Sequence, residues 1–188
     1  MNFLPDHLVM VDCEMTGVRP EEHSLLQVAM VKLCLIEGQY RFNPNILVAY
    51  LKNDASPSTP FHFEFLSHIF EKCNKSTLTC SELKAQISDW LGDLRGKVMP
   101  TGDCISCDME FLYKNECIDR SGYLNDGTPV LGTFHYEQFD LNPIKLIARQ
   151  KTGEKSKPAK SFAGNHDAVV DCFNQILELN HFIKILLN

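Results

Sequence analysis

No apolar run in this sequence approaches the roughly 18 residues that a membrane-spanning helix requires, which argues against a spanning segment. The stretch from Met1 to Leu8 lacks both the basic and the long apolar segments of a secretory signal, so a soluble cytoplasmic protein with no membrane partner is expected. Positive charge is also short: 18 Lys and Arg stand against 24 Asp and Glu, a net charge of −6. Proteins that grip duplex nucleic acid by its phosphates are usually basic over a broad face, so a processive duplex binder is disfavoured. A small site whose acids hold divalent cations is compatible with that balance, because bound ions dominate their local field. No internal repeat or low-complexity tract is present, and the 188 residues are enough for one domain with its own core.

Cysteine, by contrast, is plentiful, with eight residues. Cys13, Cys34, Cys104 and Cys172 lie in apolar segments, where a free thiol behaves as a small hydrophobe. Without a secretion signal all eight read as reduced. Cys104 and Cys107 form a CxxC, but no second pair completes a zinc site.

Leu8 to Met15 (LVMVDCEM) is an apolar run broken by two acids, the pattern of a central strand covered on both faces. A second strand is expected over Leu25–Ile36, a turn at Glu37-Gly38 and a third strand over Asn45–Leu51, giving a three-stranded meander. Helical spacing follows over Phe61–Glu71 and Ser81–Leu94, the latter starting at Thr79 or Cys80 and followed by Gly96. Lys97–Thr101 reads as a fourth strand, Asp108–Cys117 as a short helix and Asp119–Thr133 as loop. A fifth strand over His135–Leu141, a helix over Pro143–Gln150, a polar segment over Lys151–Gly164 and a last helix from about Asn165 to Leu186 complete the chain. The order predicts a single α/β domain over residues 1–188 with a mixed sheet flanked by helices.

Asp12 and Glu14 alternate with Cys13 on the first strand, so both carboxylates project from one face. Carboxylates side by side at a buried strand end repel and are costly to desolvate, and hard cations such as Mg²⁺ or Mn²⁺ relieve both problems. Taken alone, D-x-E reads rather as a strand end reaching water, with both acids hydrated. The C-terminal H-x-A-x-x-D of His166, Ala168 and Asp171 adds weight, because Asp171 interrupts the apolar stripe between Val170 and Phe173. His166, beside the polar segment, is placed to take a proton from a bound water; alone it reads as a surface residue at a helix start. Asp108, ahead of Phe111-Leu112, is a third anchor at the opening of its helix, preferred over its neighbours Asp103 and Glu110.

D-x-E after an apolar strand, D-x-x-F-L in mid-chain and H-x-A-x-x-D on the last helix together resemble the DEDD exonuclease superfamily in its histidine subclass. V-D-C-E-M-T-G-V-R-P (Val11 to Pro20) and F-H-Y-E-Q-F-D-L (Phe134 to Leu141) are similar to motifs of the oligoribonucleases. The resemblance implies an RNase H-like mixed five-stranded sheet, a homodimer, and 3′→5′ hydrolysis of short single-stranded RNA to nucleoside 5′-monophosphates with two divalent cations. It implies metal binding by Asp12, Glu14, Asp108 and Asp171, and His166 as general base. Met15, Thr16 and Val18 would contact the terminal nucleotide, and Tyr136 would be offered by the partner subunit.

The sequence departs from that family where a Ser, Arg, Ser and Thr cluster grips a 5′-phosphate. Cys104, Glu137, Asn142 and Pro143 stand at those positions, one reversing the charge and one lacking a donor. Gln27 replaces an expected glutamate. Trp90 has core spacing, so Phe63 or Phe65 is the better base-stacking candidate. The basic run of Arg149, Lys151, Lys155, Lys157 and Lys160 reads either as a solvated loop or as a flap that tracks phosphates. Two alternatives stay open: a 3′→5′ exonuclease on single-stranded DNA or longer RNA tails, and a nucleic-acid-binding module whose catalysis has lapsed.

Overall fold

The computed structural model describes residues 4–54, 56–123, 128–152, 162 and 166–187. Its centre is the strand β1 (His7–Met15), paired antiparallel with β2 (Leu25–Ile36) in a register that sets Asp12 opposite Ala29 and Glu14 opposite Gln27. Glu37 and Gly38, both at positive φ (51° and 78°), turn the chain with the sense that suits strand twist. β3 (Gln39–Phe42) then pairs with the far half of β2, and β4 (Leu47–Tyr50) with Gln27–Met30. β3 and β4 therefore share one edge of β2. The third strand expected over Asn45–Leu51 is shorter than expected, and β3 is additional. Only Tyr40 of QYRF is buried, so β3 carries too little apolar pattern to stand out.

On its other side β1 pairs parallel with β5 (Met99–Gly102), which precedes the short hairpin β6 (Gly122–Tyr123) and β7 (Pro129–Val130) and pairs parallel with β8 (Phe139–Asp140). The sheet is mixed, with order β3-β2-β1-β5-β8 and β4 beside β2. The fifth strand expected from His135 is confined to two residues.

Helices cover both faces. A π-helical turn (His62–Leu66) leads into α1 (Ser67–Lys75), followed by α2 (Cys80–Leu91), α3 (Ile105–Lys114), α4 (Leu141–Thr152) and α5 (Ala168–Leu187). The alternation of β1 decides what faces what. Val9, Val11 and Cys13 pack with Leu83, Ile87 and Leu91 of α2 and Phe111 and Leu112 of α3. Leu8 and Met10 pack with Cys172, Ile176, Leu179 and Ile183 of α5. Asp12 and Glu14 continue this second row, so the sheet's own periodicity aims them at α5.

α3 begins three residues before Asp108, which places that acid within the first turn rather than at the opening. The polar segment expected over Lys151–Gly164 and the helix start at Asn165 fall largely outside the described residues. No helix among the described residues is long and apolar enough to cross a membrane. All eight cysteines are free. Cys104 is a correction: it is exposed, in a left-handed conformation (φ 54°) ahead of α3, not a buried hydrophobe.

Thr79 caps α2. Its hydroxyl accepts from Glu82 N–H (3.2 Å) and the Glu82 carboxylate accepts from Thr79 N–H (2.8 Å). Thr79→Ala is expected to cost about 1 kcal/mol in denaturant unfolding with an unchanged slope. A midpoint equal to wild type would contradict the cap.

Candidate metal centre

β1 projects past β5, whose register ends at Met10 opposite Thr101. The Cys13 N–H beyond that point is taken by Asp108, whose Oδ1 accepts from it at 3.0 Å. Asp108 is thereby fixed at the end of the strand that carries Asp12 and Glu14. From the other side α5 supplies Asp171 in its first turn, preceded by His166 at φ 49°. Ligand atoms of Glu14, His166 and Asp171 all lie within 4.8 Å of one another. Asp12 joins them from β1, and its Oδ1 accepts from Gln175 Nε2 at 2.6 Å.

The electrostatics of this cluster are adverse without counter-ions. Burial, reinforced by Asp108, Glu14 and Asp171, holds the Asp12 carboxyl well above the usual carboxylate range. Burial, then the charges of Asp171, Asp167 and Asp108, pushes Glu14 up to about 8. Burial also raises Asp108 to about 7, against the lowering effect of the Cys13 N–H. A donor set of carboxylate oxygens suits a hard divalent cation, which would let the carboxylates ionise together at neutral pH.

The five residues singled out by sequence are thus brought together. Thr16 closes the end of β1: its hydroxyl accepts from Ser24 N–H (2.9 Å) and its carbonyl accepts from His62 Nε2 (3.1 Å). Val18 just beyond is 77% exposed, whereas Met15 packs against the core. Phe65 faces His166 with ring centroids 5.1 Å apart. Phe63 does not belong to this contact and is 63% exposed. Tyr136 lies elsewhere, 62% exposed, lining a pocket with Gly96, Leu131 and His135. The Glu110 carboxylate accepts from the exposed Arg120 guanidinium through both oxygens, and Asp103 pairs with Lys145.

Three residues escaped the sequence reading. Phe61 stands edge-on to His166 at 4.8 Å; with Phe65 it forms an i, i+4 pair, which was the available signal. Gln175, also four residues beyond a site residue, spans from Asp12 to Asp103 N–H (2.9 Å). Lys145 joins Asp103 to Glu178 beneath the site, a pairing distant in sequence. At the positions where a phosphate grip was expected, Asn142 Nδ2 donates to Cys104 Sγ (3.2 Å) and Glu137 lies exposed beside His135.

A carboxyl held up in the folded state binds its proton more tightly there than in the unfolded chain. For Glu14 the folded state therefore loses stability as pH rises from its ordinary 4.5 towards about 8. Metal-free protein in chelator should unfold more easily at about pH 8 than at about pH 5, and Glu14→Gln should remove part of that decline. Thermal melts that rise over this interval would contradict the raised pKa.

No protein-family model matches the chain. Against known proteins, it is 28% identical over 187 residues to the oligoribonuclease of Tropheryma whipplei (strain Twist), covering 95% of this chain and 92% of that protein. Among solved structures, Escherichia coli exonuclease I in complex with a dT13 oligonucleotide superposes with a TM-score of 0.61 at 13% identity, over 94% of this chain and 41% of the other. At that identity the likeness speaks for the fold, which is the RNase H-like one, and the chain spans about two fifths of the exonuclease I length. The oligoribonuclease of Paracidovorax citrulli (strain AAC00-1) is 30% identical over 191 residues, covering 96% of this chain and 90% of that protein. On that full-length match, the chain belongs to the oligoribonuclease family.

Proposed function

We propose that this protein is a cytoplasmic 3′→5′ exoribonuclease that hydrolyses short single-stranded RNA to nucleoside 5′-monophosphates, using two Mg²⁺ or Mn²⁺ ions. The observation that carries this reading is the convergence of Glu14, His166 and Asp171 within 4.8 Å, from β1 and the start of α5. Asp12, Glu14 and Asp171 would hold the ions, with Asp108 completing the acidic set. Divalent cations there would make an attacking water more acidic and offset the charge that develops on the leaving 3′-oxygen.

The protein's own residues supply the rest. The His166 imidazole takes the proton from the attacking water, a role suited to neutral pH. Phe61 and Phe65 flank its ring and present a face on which a base can stack. Met15, Thr16 and Val18 meet the 3′-terminal nucleotide at the mouth of β1. Tyr136, exposed and away from its own chain's cluster, is offered to a partner's site in a homodimer.

Substrate length is where this member differs. A thiol–amide contact and an exposed carboxylate are poor receptors for a terminal phosphate, so the strict limit that such a grip imposes is relaxed. End-labelled RNA and DNA from dinucleotides to strands of about twenty nucleotides test this in Mg²⁺, Mn²⁺ and chelator. Cleavage of RNA of several lengths, abolished by chelator, is expected. Strong preference for dinucleotides would restore the grip, and preference for DNA would favour a single-stranded DNA exonuclease. Binding without cleavage would point to a lapsed module.

His166→Ala should lower the rate about 10²–10⁴-fold while keeping Mn²⁺ affinity. Loss of Mn²⁺ binding in calorimetry would make His166 a ligand rather than a base. Gel filtration should return a dimer, and a monomer would remove Tyr136 from the site.

A further inference from the structure

We propose that Gln27 is a positioning residue for this site: its amide fastens the start of α5, and with it His166 and Asp171, to the sheet that carries Asp12 and Glu14. The proposal rests on the exonuclease reading. Gln27 is wholly buried (0% exposed) and lies opposite Glu14 across the β1–β2 pair, on the same face. Its Oε1 accepts from the N–H of Ala168, the first residue of α5, at 3.0 Å. Its Nε2 donates to Asp167 Oδ1 at 3.2 Å and to Tyr50 Oη at 3.1 Å. A carboxylate could serve Ala168 but has no proton for Asp167, and an apolar side chain could serve none of the three.

The clamp passes directly into the site. Asp167 also accepts from Val169 N–H through Oδ1 (3.0 Å), and its backbone carbonyl accepts from the Asp171 N–H at 2.9 Å. Its Oδ2 lies 3.6 Å from His68 Nε2 on α1. Tyr50 Oη is held in turn by Lys72 Nζ at 2.7 Å. Gln27 thus stands between two carboxylates, Glu14 across the strand pair and Asp167 at the helix start, as the neutral member that can donate to one without repelling the other. A glutamate here would add a third negative charge to a buried space already short of counter-charge.

Gln27→Glu, almost identical in shape, isolates this effect. Displacing catalytic groups by about 1 Å costs on the order of a hundredfold, so kcat in Mn²⁺ should fall by about that factor while KM for RNA moves less than about threefold. Mn²⁺ affinity by calorimetry, independent of turnover, should weaken. The double variant Gln27→Glu with Asp167→Asn exchanges carboxylate and amide across the same contact at constant net charge: the new amide donates to the new carboxylate and gives up the Val169 N–H that Asp167 Oδ1 also accepts. It should recover kcat about tenfold over the single variant, short of wild type by what the lost Val169 contact costs. A single variant with kcat within about threefold of wild type, or a double variant no better than the single, overturns the proposal. If the single variant does not fold, the double variant decides: it must fold cooperatively, bind Mn²⁺ and turn over. Wild-type protein inactive on RNA would sink the exonuclease reading instead, leaving Mn²⁺ affinity and melting to judge the clamp.

Discussion

Buried carboxylates cannot ionise side by side without a counter-charge, and the local structure around the end of β1 is arranged about that constraint. Asp12, Glu14 and Asp108 are all held above the usual carboxylate range, with burial as the leading cause and repulsion from neighbouring carboxylates added. Such an arrangement costs stability in the metal-free chain, and a sequence that only had to fold would have little reason to keep it. The acids are instead held in place by specific neutral donors: the Cys13 N–H on Asp108 and the Gln175 amide on Asp12. These donors fix orientation without neutralising the charge, leaving the attraction for a cation intact.

The fold delivers these groups with few devices. Alternation along β1 separates a row that packs on α2 and α3 from a row that faces α5, and the acids occupy the end of the second row. β5 stops short of that end, which frees one backbone donor for Asp108. α5 brings Asp171 and His166 from the opposite side, and its start is tied to β2 rather than to β1. The relation between the two halves of the site therefore depends on the β1–β2 register, which sets Glu14 opposite Gln27.

What the sequence disclosed follows from how locally each signal is written. β2 was legible to the residue at Leu25–Ile36 because a covered strand leaves a long apolar run, here interrupted at Gln27 and Lys32. The strand character of Asp12–Glu14 and the helix bearing Asp171 were legible for the same reason, since an acid in an apolar pattern is conspicuous. β3 was missed because an edge strand with one buried residue has almost no pattern. Gln175, Lys145 and the clamp role of Gln27 were missed because their partners lie far away in sequence, from 23 to 163 positions. Gln27 did register as a departure from the family, but only the fold gives the substitution a reason: the donor that Asp167 requires.

The most direct test of the central claim, that the carboxylate cluster is a divalent-cation site, is an anomalous difference map from crystals soaked in Mn²⁺. Peaks within coordination distance of Glu14 and Asp171, with Asp12 shared, are the expected result. A map with no peak there, or with Mn²⁺ held only at another position, would contradict it.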